Sequence, residues 1–134
     1  MQRAFLTARA DVEILGKLMT RDDVSEIENH MKAADNYYAT EVSKSNFMLE
    51  LIKKSGVFAV NFASLKNPRD TMVDGRYFDK FEKLGIPKKE AEKINCPLIG
   101  GADVLECALD RVIDMGEKAI IIGNVLRRHT RNKT

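Results

Sequence analysis

The chain has no tryptophan, only three prolines and only two cysteines in 134 residues, and each shortage removes a class of explanation. Cys96 and Cys107 can close at most one bridge, which excludes a disulfide-stapled scaffold. Together with the two histidines, His30 and His129, they do not fall at a zinc-ligand spacing, so both thiols read as reduced core residues. Long apolar runs are also missing. The longest, such as Ala119–Ile122, have four residues, against the ~20 that a membrane helix needs. The N-terminus carries no basic-then-apolar export signal, and the expected location is the cytoplasm.

What is present suits one globular domain: 44% hydrophobic and 31% charged residues, enough at this length to bury a core. The net charge of +2 is too small to point to nucleic acid, but it is unevenly spread. Residues 1–41 hold five basic against eight acidic side chains; residues 127–134 hold four basic and no acidic ones, leaving the remainder at −2. A basic tail can touch phosphates, yet a short basic terminus is ordinarily a solvated end, and nucleic acid is not the expected partner.

The N-terminal third reads as helix. Val12, Ile14, Leu15, Leu18 and Met19 form a stripe interrupted by Gly16, and Thr20 with Asp23 makes a T-x-x-D start signal. Val24, Ile27, Met31 and Ala34 follow at spacings of three and four. The expectation is a helical segment over residues 1–41, best marked from Arg21 to Asp35, with His30 on its solvated face.

At Val42 the texture changes. Ser43, Lys44, Ser45 and Asn46 bring hydroxyl, ammonium and amide groups just ahead of a helix at 47–55, with Gly56 at its C-terminal stop. Val57–Phe62 is rich in β-formers and reads as a strand. Pro68 and Gly75 bracket a loop, and Tyr77–Leu84 reads as a short helix stopped by Gly85 and Pro87. Residues 102–114 fit both a helix and an alternating strand. Lys118–Leu126, with Ile120, Ile121, Ile122 and Val125, reads as a strand after a Gly116-Glu117 turn.

From Val42 to Leu126, about 85 residues, the sequence resembles the flavin reductase-like family of FMN-binding split-barrel proteins, flavoredoxin-type members included. Four blocks carry the resemblance in order: Ser43-Lys44-Ser45-Asn46-Phe47 leading into Glu50–Gly56; Phe58-Ala59-Val60-Asn61; Gly75-Arg76-Tyr77-Phe78-Asp79-Lys80-Phe81; and Leu105-Glu106-Cys107 with Gly116-Glu117 and Ile120–Val125. It decides residues 102–126 in favour of a β-hairpin. The implied class is α+β with a mainly β core, a partial split barrel behind a helical N-terminal segment and ahead of a basic tail at 127–134.

The resemblance further implies FMN as cofactor, NAD(P)H as electron donor, hydride transfer between them, and a homodimer. It places Ser43, Lys44, Ser45 and Asn46 in a phosphate-binding loop. That role suits hydroxyls and backbone N–H groups at a helix N-terminus beside an ammonium, although Ser45 or Asn46 can equally cap the helix. Asn61 is a candidate for the flavin or for a neighbouring turn; Arg76 and Lys80 are candidates for phosphate or for ion pairs with carboxylates such as Asp79. Phe78 and Phe81 read as core anchors, and Glu106 and Cys107 as strand residues without a redox role.

Three departures stand out. Gly116-Glu117-Lys118 replaces a Gly-Asp-His pattern common in the family, which removes an imidazole that can face the nicotinamide. Met48 stands where a hydroxyl residue is common. The family's opening strands have no evident counterpart in Met1–Glu41, leaving at most four strands and open edges that another chain could pair. The rival expectation is therefore a shortened, non-catalytic family member acting as a dimerisation or interaction module.

Overall fold

Leu6, Ala8, Ala10, Val12 and Ile14 alternate strictly with Thr7, Arg9, Asp11 and Glu13, and in the computed structural model this period of two builds a strand, not a helix. Residues 2–34 and 36–130 are described. Strand β1 (Arg3–Ile14) turns at Leu15-Gly16 into β2 (Lys17–Glu26), followed by β3 (His30–Ala34) and β4 (Tyr37–Ser43). The expected N-terminal helix is thus corrected to four strands. The apparent helical stripe mixed residues of two antiparallel strands across a turn: Val12 lies opposite Met19, and Glu13 opposite Leu18. Thr20 caps nothing; its hydroxyl donates to Asp11 across the hairpin at 2.6 Å. The expectations for the His30 and Met31 side chains and for Asp35 fall outside the described residues.

The elements expected after Val42 are present. Helix α1 (Phe47–Ser55) is capped by Asn46, whose side chain accepts from the Met48 N–H, and it stops at Gly56 in the left-handed region (φ 75°). Strand β5 (Val57–Ala63) follows, then a 3-10 helix at Pro68–Met72 and helix α2 (Lys80–Lys83), shorter than the expected 77–84 because Asp79 caps it. A small ribbon, β6 (Lys88–Glu90) with β7 (Pro97–Ile99), precedes the long hairpin β8 (Asp103–Met115) and β9 (Lys118–His129). The basic residues Arg127, Arg128 and His129 belong to β9; residues 131–134 lie outside the described set. No helix among the described residues is long and apolar enough to cross a membrane.

Seven strands form one antiparallel sheet in the order β2-β1-β5-β8-β9-β4-β3. Its two edge strands, β2 and β3, are joined by only Ile27, Glu28 and Asn29, so the sheet must curl towards itself as a half-barrel. Asn29 ties this link down, its carbonyl accepting from the Glu41 N–H at 3.1 Å and the Thr40 hydroxyl at 2.8 Å. Helix α1 drops Phe47, Met48, Leu51 and Ile52 into the hollow against Leu6, Val12, Phe58, Val60 and Ile121, and this burial is what holds the curl. Outside the sheet, residues 84–102 cover Ala59 and Val104 with Cys96 and Leu98. The α+β, mainly β class and the split-barrel architecture stand, with the missing wall supplied by β1–β4.

The β1–β2 turn is strained at one place. Leu15 has φ 52° and is 87% exposed, and Gly16 has φ 81°, the pair of positive values typical of an Asn-Gly hairpin turn. A bulky residue is disfavoured there. Leu15→Asn is therefore expected to raise stability by about 0.5–1 kcal/mol, read as a higher urea midpoint at unchanged slope.

Candidate functional site

Ser43 ends β4 opposite Lys118, the first residue of β9, and the three residues that follow swing the chain into α1. The loop is pinned twice: the Lys44 N–H donates to the Glu117 carbonyl at 3.0 Å, and the Asn46 N–H to the Ser43 carbonyl at 3.0 Å. The Ser43 and Ser45 hydroxyls lie 3.0 Å apart, both residues exposed. One proton suffices for their mutual bond, so a second is left to donate outward. The Ser45 N–H contacts the Ser43 hydroxyl only at 3.4 Å. These groups surround the N-terminus of α1, where the backbone dipoles favour an anion.

Lys44 and Asn46 are partly committed. The Lys44 ammonium pairs with Asp114 at 2.5 Å, and that contact, with the Gly116 N–H, holds the Asp114 carboxyl below its ordinary range. Asn46 uses its carbonyl oxygen as the helix cap and gives its amide to the Ser25 hydroxyl at 3.3 Å. It is the rigid member of the loop. Arg76 flanks the same helix end: its guanidinium sits 4.5 Å from the Phe47 ring centroid and donates to Glu50 at 2.8 Å.

Beside the loop lies a small cleft of about 70 Å³ lined by residues that include Ser25, Glu26, Glu41, Met72 and Lys118. Its carboxylates are compensated. Glu26 pairs with Arg3 at 2.8 Å, Glu28 with Arg69 at 2.9 Å and Glu41 with Lys118 at 3.3 Å, so they offer an incoming anion little net repulsion. One oxygen is not satisfied: Glu26 Oε1 is buried without a hydrogen-bond donor.

Two candidates sit elsewhere. Asn61 is fully buried on the outer face of β5, its amide donating to Thr7 Oγ1 at 2.9 Å and to the Phe5 carbonyl at 3.3 Å, while its oxygen accepts from the Ile99 N–H at 2.9 Å. It fastens residues 97–99 to the sheet, which is the neighbouring-turn alternative. Lys80 has no exposed surface and pairs with Asp23 at 3.0 Å, not with Asp79. Gly75 leaves room for that pair: a Cβ there would stand 2.4 Å from Asp23 Oδ1. In this conformation neither Asn61 nor Lys80 can reach a ligand. Both cysteines are buried and free, and burial pushes each thiol up to about 12, far from the range of a reactive thiolate.

The cleft residues Ser25, Glu26, Asn29 and Glu41 were not anticipated, because the helical reading placed them on a solvated surface. The signal that could have found them is the strict alternation of residues 6–14, which implies a strand and hence a hairpin partner bringing Ser25 and Glu26 to the core.

A family model described as the flavin reductase like domain matches residues 35–134, and the chain belongs to the flavin reductase-like family. Residues 1–34 lie outside that match but within the structural one. The chain is similar to the flavoredoxin of Desulfovibrio vulgaris (TM-score 0.77, 19% identity, covering 95% of this chain and 68% of that one). It is similar also to an FMN-binding protein from Thermus thermophilus (0.75, 18%, 94% and 68%), and to an NADH:FAD oxidoreductase from Streptomyces globisporus (0.71, 21%, 98% and 76%). At these identities the likeness concerns the fold. It does extend over β1 and β2, so the family's opening strands are present after all. No curated protein matches the sequence.

Proposed function

We propose that the chain binds FMN with its phosphate on the Ser43–Asn46 loop, and that it serves hydride transfer between NAD(P)H and the flavin. The observation that carries this reading is the exposed Ser43–Ser45 hydroxyl pair beside the Lys44 ammonium at the start of a nine-residue helix. It is a site built for a phosphate, on a fold whose neighbours include flavoproteins. The compensated acids of the cleft permit the negative charge, and the unsatisfied Glu26 Oε1 offers an acceptor for a hydroxyl of the ribityl chain.

When bound, the flavin supplies the hydride-accepting centre, and the protein's part is to hold two planar rings together and keep water out. The cleft of about 70 Å³ accommodates phosphate-sized groups and not a three-ring system. The ring then lies on the open face beyond it, where a second copy of the chain would complete the slot; a homodimer belongs to the proposal. Lys118, paired with Glu41, replaces the imidazole common in the family, so the nicotinamide is held without that group.

Lys44→Ala tests the loop. Removing one charge-assisted contact, about 1.5 kcal/mol, is expected to weaken FMN binding about tenfold in a fluorescence titration. An unchanged dissociation constant would place the phosphate elsewhere. NADH oxidation by the FMN-loaded protein tests the electron donor separately.

A further inference from the structure

A second cavity, of about 340 Å³, opens at the other end of the β8–β9 ribbon, lined among others by Lys89, Gly101, Arg127, Arg128 and His129. Every ionisable side chain that lines it is basic, whereas the cleft beside Ser43 holds three glutamates. Lys89 makes no ion pair among the described residues, and Arg127 reaches away to Glu92 at 3.1 Å. His129 is held in place from behind. Its ring bonds the fully buried Glu106, whose carboxylate also accepts from the Glu92 N–H at 2.9 Å and the Lys93 N–H at 2.7 Å. The bases are thus presented by strands β6 and β9 and by a clamped turn, not by a loose terminus.

We infer that this cavity is a binding site for a small polyanion, the phosphate or pyrophosphate group of a nucleotide-sized ligand. Cations of one sign gathered around a concave surface repel one another unless an anion neutralises them, and low-dielectric walls strengthen their field at the cavity centre. Guanidinium forks suit phosphate oxygens, and an ammonium adds a point charge. The volume falls in the range of small-ligand pockets, and the apolar Leu98 and Val104 at its floor suit a ligand with a nonpolar body. Eleven residue steps along β9 separate Lys118, beside the loop at Ser43, from His129; at ~3.3 Å each this is roughly 35 Å. One phosphate cannot touch both places, and the site does not depend on the flavin reading.

Backbone amide shifts of the full chain, titrated with inorganic pyrophosphate, test the inference. Saturable shifts are expected at Lys89, Gly101, Arg128 and His129, weakened at least tenfold by Lys89→Ala with Arg127→Ala and weakened by added salt. Lys44→Ala should leave them unchanged while it alters shifts at Ser43–Phe47. Shifts confined to Ser43–Phe47, or none at the four named amides, would overturn it. So would a single-stranded oligonucleotide whose affinity keeps rising with length, which marks an extended nucleic-acid surface.

Discussion

Lys80→Met is expected to cost about 3–5 kcal/mol of stability, the range found when one partner of a buried ion pair is removed. Lys80 and Asp23 are both fully buried, 3.0 Å apart. The same ammonium also donates to the Val24 carbonyl at 3.0 Å and the Thr71 carbonyl at 2.6 Å, and so binds β2 to the 3-10 helix and α2. Burial already pushes the Asp23 carboxyl up to about 6 against the pull of Lys80; without the ammonium that carboxylate is stranded. Urea unfolding should show the loss at neutral pH. Asp23→Asn combined with Lys80→Met should recover part of it, because the stranded charge is then gone. A loss below about 1 kcal/mol for Lys80→Met would mean that the pair is not closed in solution.

Ser45→Asp is expected to weaken FMN binding by at least about 100-fold with little effect on folding. Ser45 is exposed and carries no core contact, so the fold has little to lose. A carboxylate there faces the phosphate dianion at close range, where each pair of unit charges repels by about 4 kcal/mol at 4 Å and an effective dielectric of 20; even strong screening leaves more than two orders of magnitude. Ser45→Ala, which removes only a hydroxyl, should cost less than tenfold. Equal binding by the Asp variant, with unchanged stability, would exclude the loop as the phosphate site.

The two halves of the chain differ in how much they disclose. After Val42 the elements are short and bounded by strong punctuation, Asn46 and Gly56 around α1 and Gly116 between β8 and β9, and local chemistry alone places them closely. Before it, Leu15 occupies a turn position that normally calls for Asn or Gly. The hairpin was therefore unmarked, and the apolar residues on its two sides merged into a false helical stripe. The alternation from Leu6 to Ile14 was legible, but its significance depended on seeing the turn.

Of the candidate site, residues 43–46 and Arg76 are brought to one helix end, as their clustering with α1 suggests. Asn61 and Lys80 show the limit of reading polarity as function. Each lies in a motif block, yet each spends its hydrogen-bonding capacity inside the protein. Their partners, Thr7 and Phe5 for one and Asp23 and Val24 for the other, come from the hairpin that was read as helix. A buried polar side chain must be paired, but its partner cannot be named until the strand that supplies it is placed.

The account rests on the loop at Ser43–Asn46 holding the phosphate of a flavin. Titrating the wild-type chain with FMN, while following flavin fluorescence and backbone amide shifts together, measures this directly. The predicted result is saturable quenching at one flavin per chain, with the amides of Ser43–Phe47 shifting along the same binding curve. Unquenched flavin with those amides unmoved would contradict it.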